Sequence, residues 1–137
     1  MRYTEELYHP ALLAPRTSRG EMELASNGDL IRRQSWPKVE ESRIGQDFVT
    51  VIRDGASNLL PIPDQMRPWI ETLRSLLTKG ELPPQAEFEQ IGDGKSWRFV
   101  QKFDGQQIAL LGCGSDLQQI EFRQPDQTRR VLIFQAP

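Results

Sequence analysis

The chain has 137 residues, 17 Lys and Arg against 19 Asp and Glu, and 37% hydrophobic residues, or about 44% with its 10 glycines counted, slightly below the roughly 45–50% of an ordinary soluble domain. This predicts one domain, residues 1–137, able to fold without disulfide or metal staples around a lean core. A net charge of −2 with interspersed signs offers no basic field for nucleic acid. The longest apolar runs, of four residues, fall far short of the roughly 20 needed for a transmembrane segment, and a single Cys with a single His excludes an intramolecular disulfide or a Cys/His metal cluster.

The opening MRYTEELYHP has two acids and no apolar core, so no secretory signal is expected in it. From residue 20 onward, Gly and Pro punctuate short stretches of period-two alternation, the pattern of antiparallel strands. Gly20 to Leu24 places Met22 and Leu24 on one face and Glu21 and Glu23 on the other, and Asn27-Gly28-Asp29 turns the chain into a return strand, Leu30 to Trp36. Beyond Pro37 come strands over Lys38 to Ile44 and Phe48 to Ile52, then Leu59 to Ile62, which Pro61 restricts to an edge or irregular position. Gln65 to Lys79 is the one predicted helix. Its Trp69, Ile70, Leu73, Leu76 and Leu77 form one apolar stripe, with Arg67, Glu71, Arg74 and Ser75 opposite. Asp64 is the expected N-cap, Pro68 fits only the first turn, and Lys79-Gly80 supplies the C-terminal signal. After Pro83-Pro84, strands are predicted over Ala86 to Ile91, Trp97 to Phe103, Gln107 to Leu111, Leu117 to Arg123 and Thr128 to Gln135. The expected fold is therefore mainly β (α+β): a curved antiparallel sheet of about ten strands, with one long amphipathic helix set against its apolar face.

Few residues invite chemistry. Cys113 lies between Gly112 and Gly114 and has one possible histidine partner, His9, which sequence distance alone does not exclude; a strand-end turn nevertheless explains the glycines more simply than an exposed thiol or a phosphate cradle. Glu21/Glu23 and Glu87/Glu89 sit on polar strand faces, the ordinary place for solvated acids. Arg32-Arg33 and Arg129-Arg130 are more telling. Each pair puts one arginine on each strand face, so one of each points to the apolar side, where it must pair or snorkel. No enzyme and no cofactor is expected. The helix either plugs the sheet as plain core or lids a cavity; apolar stripes usually form core, whereas the order of the segments favours the lid.

That order resembles the LolA-like outer-membrane lipoprotein carrier family. The likeness runs through Tyr3 to Glu6, Leu13-Ala-Pro15, Gly20-Glu-Met22, Asp29-Leu30, Trp36-Pro37, Ile44 to Val49 and Asp54-Gly55. It continues with Leu77 to Gly80, Phe88, Trp97, Leu117 to Phe122 and Leu132 to Phe134. It spans nearly the whole chain in short motifs. The resemblance implies a half-open barrel over a helical lid, a periplasmic location, and a cavity that accepts lipoprotein acyl chains, or another lipid product, from an inner-membrane exporter and yields them to an outer-membrane acceptor. Two features depart from the family. The best-known members latch the lid with an arginine where this chain has Ser26-Asn27, and they carry a long helix ahead of the first strand, whereas here Tyr3 follows almost at once.

The wall of such a cavity is expected to comprise Met22, Leu24, Leu30, Trp36, Val49 and Val51 from the sheet. Trp69, Ile70, Leu73, Leu76 and Leu77 would come from the helix, with Trp97 and Phe99 beyond it. The competing expectation is a β-sheet protein-interaction module of the cell envelope, with the helix as core.

Overall fold

The structure is a computed structural model that describes residues 1–79, 89–91, 95–103, 105–114 and 116–135; within these, the side chains of Gln65, Pro68, Trp69, Lys79, residues 89–91 and residue 103 lie outside the description. The chain folds as β1 (Arg2–Tyr8), β2 (Arg16–Leu24), β3 (Leu30–Trp36), β4 (Glu40–Ile44), β5 (Phe48–Arg53) and β6 (Ala56–Pro61). A 3-10 turn, Asp64–Met66, leads into helix α1 (Arg67–Lys79), and β7 (Glu89–Ile91), β8 (Ser96–Phe103), β9 (Gln106–Cys113), β10 (Asp116–Arg123) and β11 (Arg129–Phe134) complete it.

All eleven strands form one sheet in the order β6-β5-β4-β3-β2-β1-β11-β10-β9-β8-β7. Strands that follow one another in the chain pair antiparallel, except β6 and β7 at the two edges, and β1 joins the two halves by pairing with β11. The sheet is open, with β6 and β7 at its edges. The edge position inferred from Pro61 is correct.

Alternation explains which face is buried. Met22 on β2 is buried while Glu21 and Glu23 on the opposite face are exposed, as predicted. Cross-strand register carries the same face through Tyr3 on β1, Leu132 and Phe134 on β11, and Ile120 on β10. Ile70, Leu73 and Leu76 of α1 pack into the core formed by these residues, with Trp97 and Phe99 of β8 at its far side. Two cross-strand pairs set aromatic rings on glycines. Tyr3 lies opposite Gly20 and Trp97 opposite Gly112, and a Cβ at either glycine would collide with the ring and with a backbone carbonyl. Gly112 is therefore a packing residue for Trp97, whose indole Nε1 donates to Gly114 O at 2.9 Å.

Several sequence expectations need correction. The helix is short, 13 residues, and starts at Arg67 rather than Gln65. Pro68 has no N–H to donate to Asp64 O, so the preceding residues wind as a 3-10 turn closed by the Arg67 N–H on that carbonyl. Asp64 consequently begins the turn instead of capping the helix, and its carboxylate accepts from Arg67 Nε at 3.2 Å. β1 has no counterpart among the strands called from alternation, because Thr4, Glu5 and Glu6 hide its apolar face. β2 begins at Arg16, four residues earlier than expected, and β6 begins at Ala56. The predicted Gly80 cap and the Gly92-Asp-Gly94 turn lie outside the described residues.

Candidate ligand pocket

A pocket of about 310 Å3, partly open to solvent, lies between α1 and the buried face of the sheet. Met66 and Leu73 form its helical side. Across from them stand Met22, Leu30, Ile44 and Val49 from β2 to β5, and Ile120, Phe122 and Leu132 from β10 and β11. Ile44 and Val49 belong to the cross-strand row of Leu30, whereas Phe122 shares a row with Arg130 and Leu7, so the hollow spans several rows of the sheet. Its volume is at the lower end of the roughly 300–1,000 Å3 usual for ligand sites.

Its charged wall is built around Glu5. This carboxylate is buried, with 5% of the residue exposed. Glu5 Oε2 accepts from Arg32 Nη2 at 2.6 Å and from Ser18 Oγ at 2.9 Å, and Oε1 accepts from Arg130 Nη1 at 3.4 Å. The two arginines that alternation turned toward the apolar side thus share one carboxylate. Arg32 also covers the Tyr3 ring, 5.6 Å from guanidinium carbon to ring centroid. Burial raises the Tyr3 phenol above its ordinary value of 10.0, against the opposing charge of Arg32. Arginine tethers hold the helix at the sheet rim. Arg74 Nη2 donates to Ile44 O at 3.1 Å and to Gly45 O at 2.9 Å, and Arg67 Nη1 donates to Gln46 O at 2.7 Å.

Of the expected wall, Met22, Leu30, Val49 and Leu73 line the pocket. Ile70, Leu76, Trp97 and Phe99 are buried core residues elsewhere beneath the helix, against which Leu24 and Leu77 pack. Val51 is half-buried on the same sheet face, opposite Ser42, and the Trp69 side chain lies outside the described residues. Trp36 is placed elsewhere altogether. The β2–β3 register shifts between Arg19 and Gly20, so that Ser35 is an extra residue and Trp36 falls opposite Arg19, on the outer face. There Trp36 is 50% exposed, with the Arg19 guanidinium carbon 5.2 Å from its ring centroid. Ile44, Met66 and the β10–β11 residues were not singled out in the sequence as part of the wall.

The arrangement offers apolar burial beside a fixed ion cluster. None of the pocket residues is a His or a Cys. His9 Nδ1 accepts the Ala11 N–H at 3.0 Å, and Cys113 is a half-buried free thiol at the end of β9. Among the described residues no group of three or more His, Cys, Asp or Glu side chains is placed to hold a metal ion, and no helix is long and apolar enough to cross a membrane. No protein-family model matches the sequence, and no curated protein matches it.

Proposed function

We propose that this protein is a non-enzymatic carrier that holds acyl chains, of a lipoprotein or another lipid product, between the sheet and α1. In this reading the sheet acts as a half-barrel and the helix as its lid, in a periplasmic transfer step between an inner-membrane exporter and an outer-membrane acceptor. The observation that carries it is the 310 Å3 hollow with a largely apolar lining, left open beneath a helix whose stripe otherwise packs into core. An acyl chain gains about 0.8 kcal/mol for each methylene it buries, so such a wall binds strongly without chemical specificity. Methionine adapts to chains of varied shape, and both Met22 and Met66 face the hollow. Release requires the lid to compete for the same apolar surface. The ordered LolA-like motifs support the same reading.

Titration with a fluorescent long-chain fatty acid tests it. Saturable binding is expected, and Val49→Phe, which fills the hollow from a half-buried position, should weaken it about tenfold or more with the fold retained. Undiminished binding in that variant would place the ligand elsewhere.

One observation favours a second reading as a protein-interaction module. Every residue of edge strand β6 is exposed, including Leu59 and Leu60, which suits strand addition by a partner.

A further inference from the structure

The pocket is not charge-neutral. Glu5, Arg32 and Arg130 are the charged side chains that line it among the described residues, so one carboxylate faces two guanidiniums. Glu5 and Arg32 satisfy each other: the contact is 2.6 Å, and 6% and 22% of their side chains are exposed. Arg130 stands apart. Its one hydrogen bond among the described residues is the 3.4 Å contact to Glu5, and 47% of its side chain is exposed. Its neighbours across the strands on the same face are the apolar Leu7 and Phe122. A guanidinium carries five N–H donors in a planar fork suited to a carboxylate. Arg130 therefore presents a positive charge and a largely uncommitted fork at the edge of an apolar hollow.

We propose that the pocket selects anionic single-chain amphiphiles, with the hydrocarbon in the hollow and a carboxylate head on Arg130. This rests on the acyl-carrier reading and narrows it to a free lipid acid, because the ester- and amide-linked acyl chains of a lipoprotein offer no carboxylate. Arg32 offsets the charge that Glu5 would set against such a head: with Ser18 it holds Oε2, the oxygen turned away from the Arg130 contact, while Oε1 meets Arg130 itself. Arg32 is committed to Glu5 and serves as a positioning residue that keeps this carboxylate turned inward.

The test compares hexadecanoate with its methyl ester, which has the same chain and no charge, by displacement of a fluorescent acyl probe. The wild-type protein is expected to bind the acid at least about fivefold more tightly than the ester, and added salt should narrow the gap because Arg130 is half exposed. Arg130→Gln should bring the acid-to-ester ratio down to about one, and Arg130→Lys should keep part of the preference. Equal affinity for acid and ester in the wild type, or a preference that survives Arg130→Gln, overturns the head-group proposal while acyl binding stands. Failure of both ligands to displace the probe overturns the carrier reading itself. A wild-type acid-to-ester ratio near one overturns the proposal even if a variant fails to fold.

Discussion

Tyr3 and Trp97 each lie across a strand pair from a glycine, and their rings occupy the space that a Cβ would need. In the sequence, Gly20 and Gly112 look like punctuation, because a glycine's role as a bed for an aromatic ring depends on a cross-strand partner that only pairing reveals. Gly20→Ala drives a methyl group into the Arg33 carbonyl as well as the Tyr3 ring, and a loss of about 1–3 kcal/mol in urea unfolding is expected. The inward turn of one arginine from each pair was legible from alternation, but that both would pair, and with Glu5, was not, since Glu5 is an acid in a strand whose apolar face is otherwise marked only by Tyr3 and Leu7. Arg32→Met leaves Glu5 buried with only its long contact to Arg130 and its bond to Ser18, and should cost about 3 kcal/mol by the same measurement. On the outer face, burial pushes the Glu121 carboxyl up, but hydrogen bonds from Arg123 and Arg129 outweigh it and hold it below its ordinary value of 4.5. A carboxylate lowered on folding stabilises above its unfolded pKa and loses that contribution as pH falls through its folded pKa. The stability gap between wild type and Glu121→Gln should therefore be full at neutral pH and close progressively below 4.5.

Among the elements, α1 was the most legible because three signals agreed: an apolar stripe at helical spacing, a proline near the start and a lysine at the end. Its length was overestimated and its first turn misjudged, where the missing Pro68 N–H forces a 3-10 entry. The arginines placed on the helix's polar face turn out to tie it to carbonyls of the β4–β5 turn. Arg74→Ala removes two charge-assisted bonds to Ile44 and Gly45 without touching the strand ladder. Amide hydrogen exchange should then quicken through α1, corresponding to about 1–2 kcal/mol of lost local stability, while β1, β10 and β11 keep their protection. Equal acceleration in the central strands would mean that helix and sheet open only as one unit. The misplacement of Trp36 has a different origin. Counting by twos from Leu30 puts it on the inner face, and one bulged residue, Ser35, reverses that. Nothing local in Gln34-Ser-Trp36 announces such a bulge.

For the molecule as a whole, antiparallel pairing and the absence of closure follow from short alternating segments joined by turns, together with a proline that confines β6 to an edge. The pocket was only half visible, because four expected wall residues line it while the charged wall and the β10–β11 contribution depend on β1 joining β11, a contact between the two ends of the chain. The lean composition fits a sheet that leaves space under its helix instead of filling it. Photo-crosslinking with a diazirine-bearing fatty acid, followed by peptide mass spectrometry, distinguishes acyl carriage from edge-strand binding in one experiment. Acyl carriage requires saturable adducts on Met22, Met66, Leu73 or Phe122, competed by unlabelled fatty acid. Adducts confined to Leu59 and Leu60 on β6, or labelling that does not saturate, would contradict a chain bound between helix and sheet.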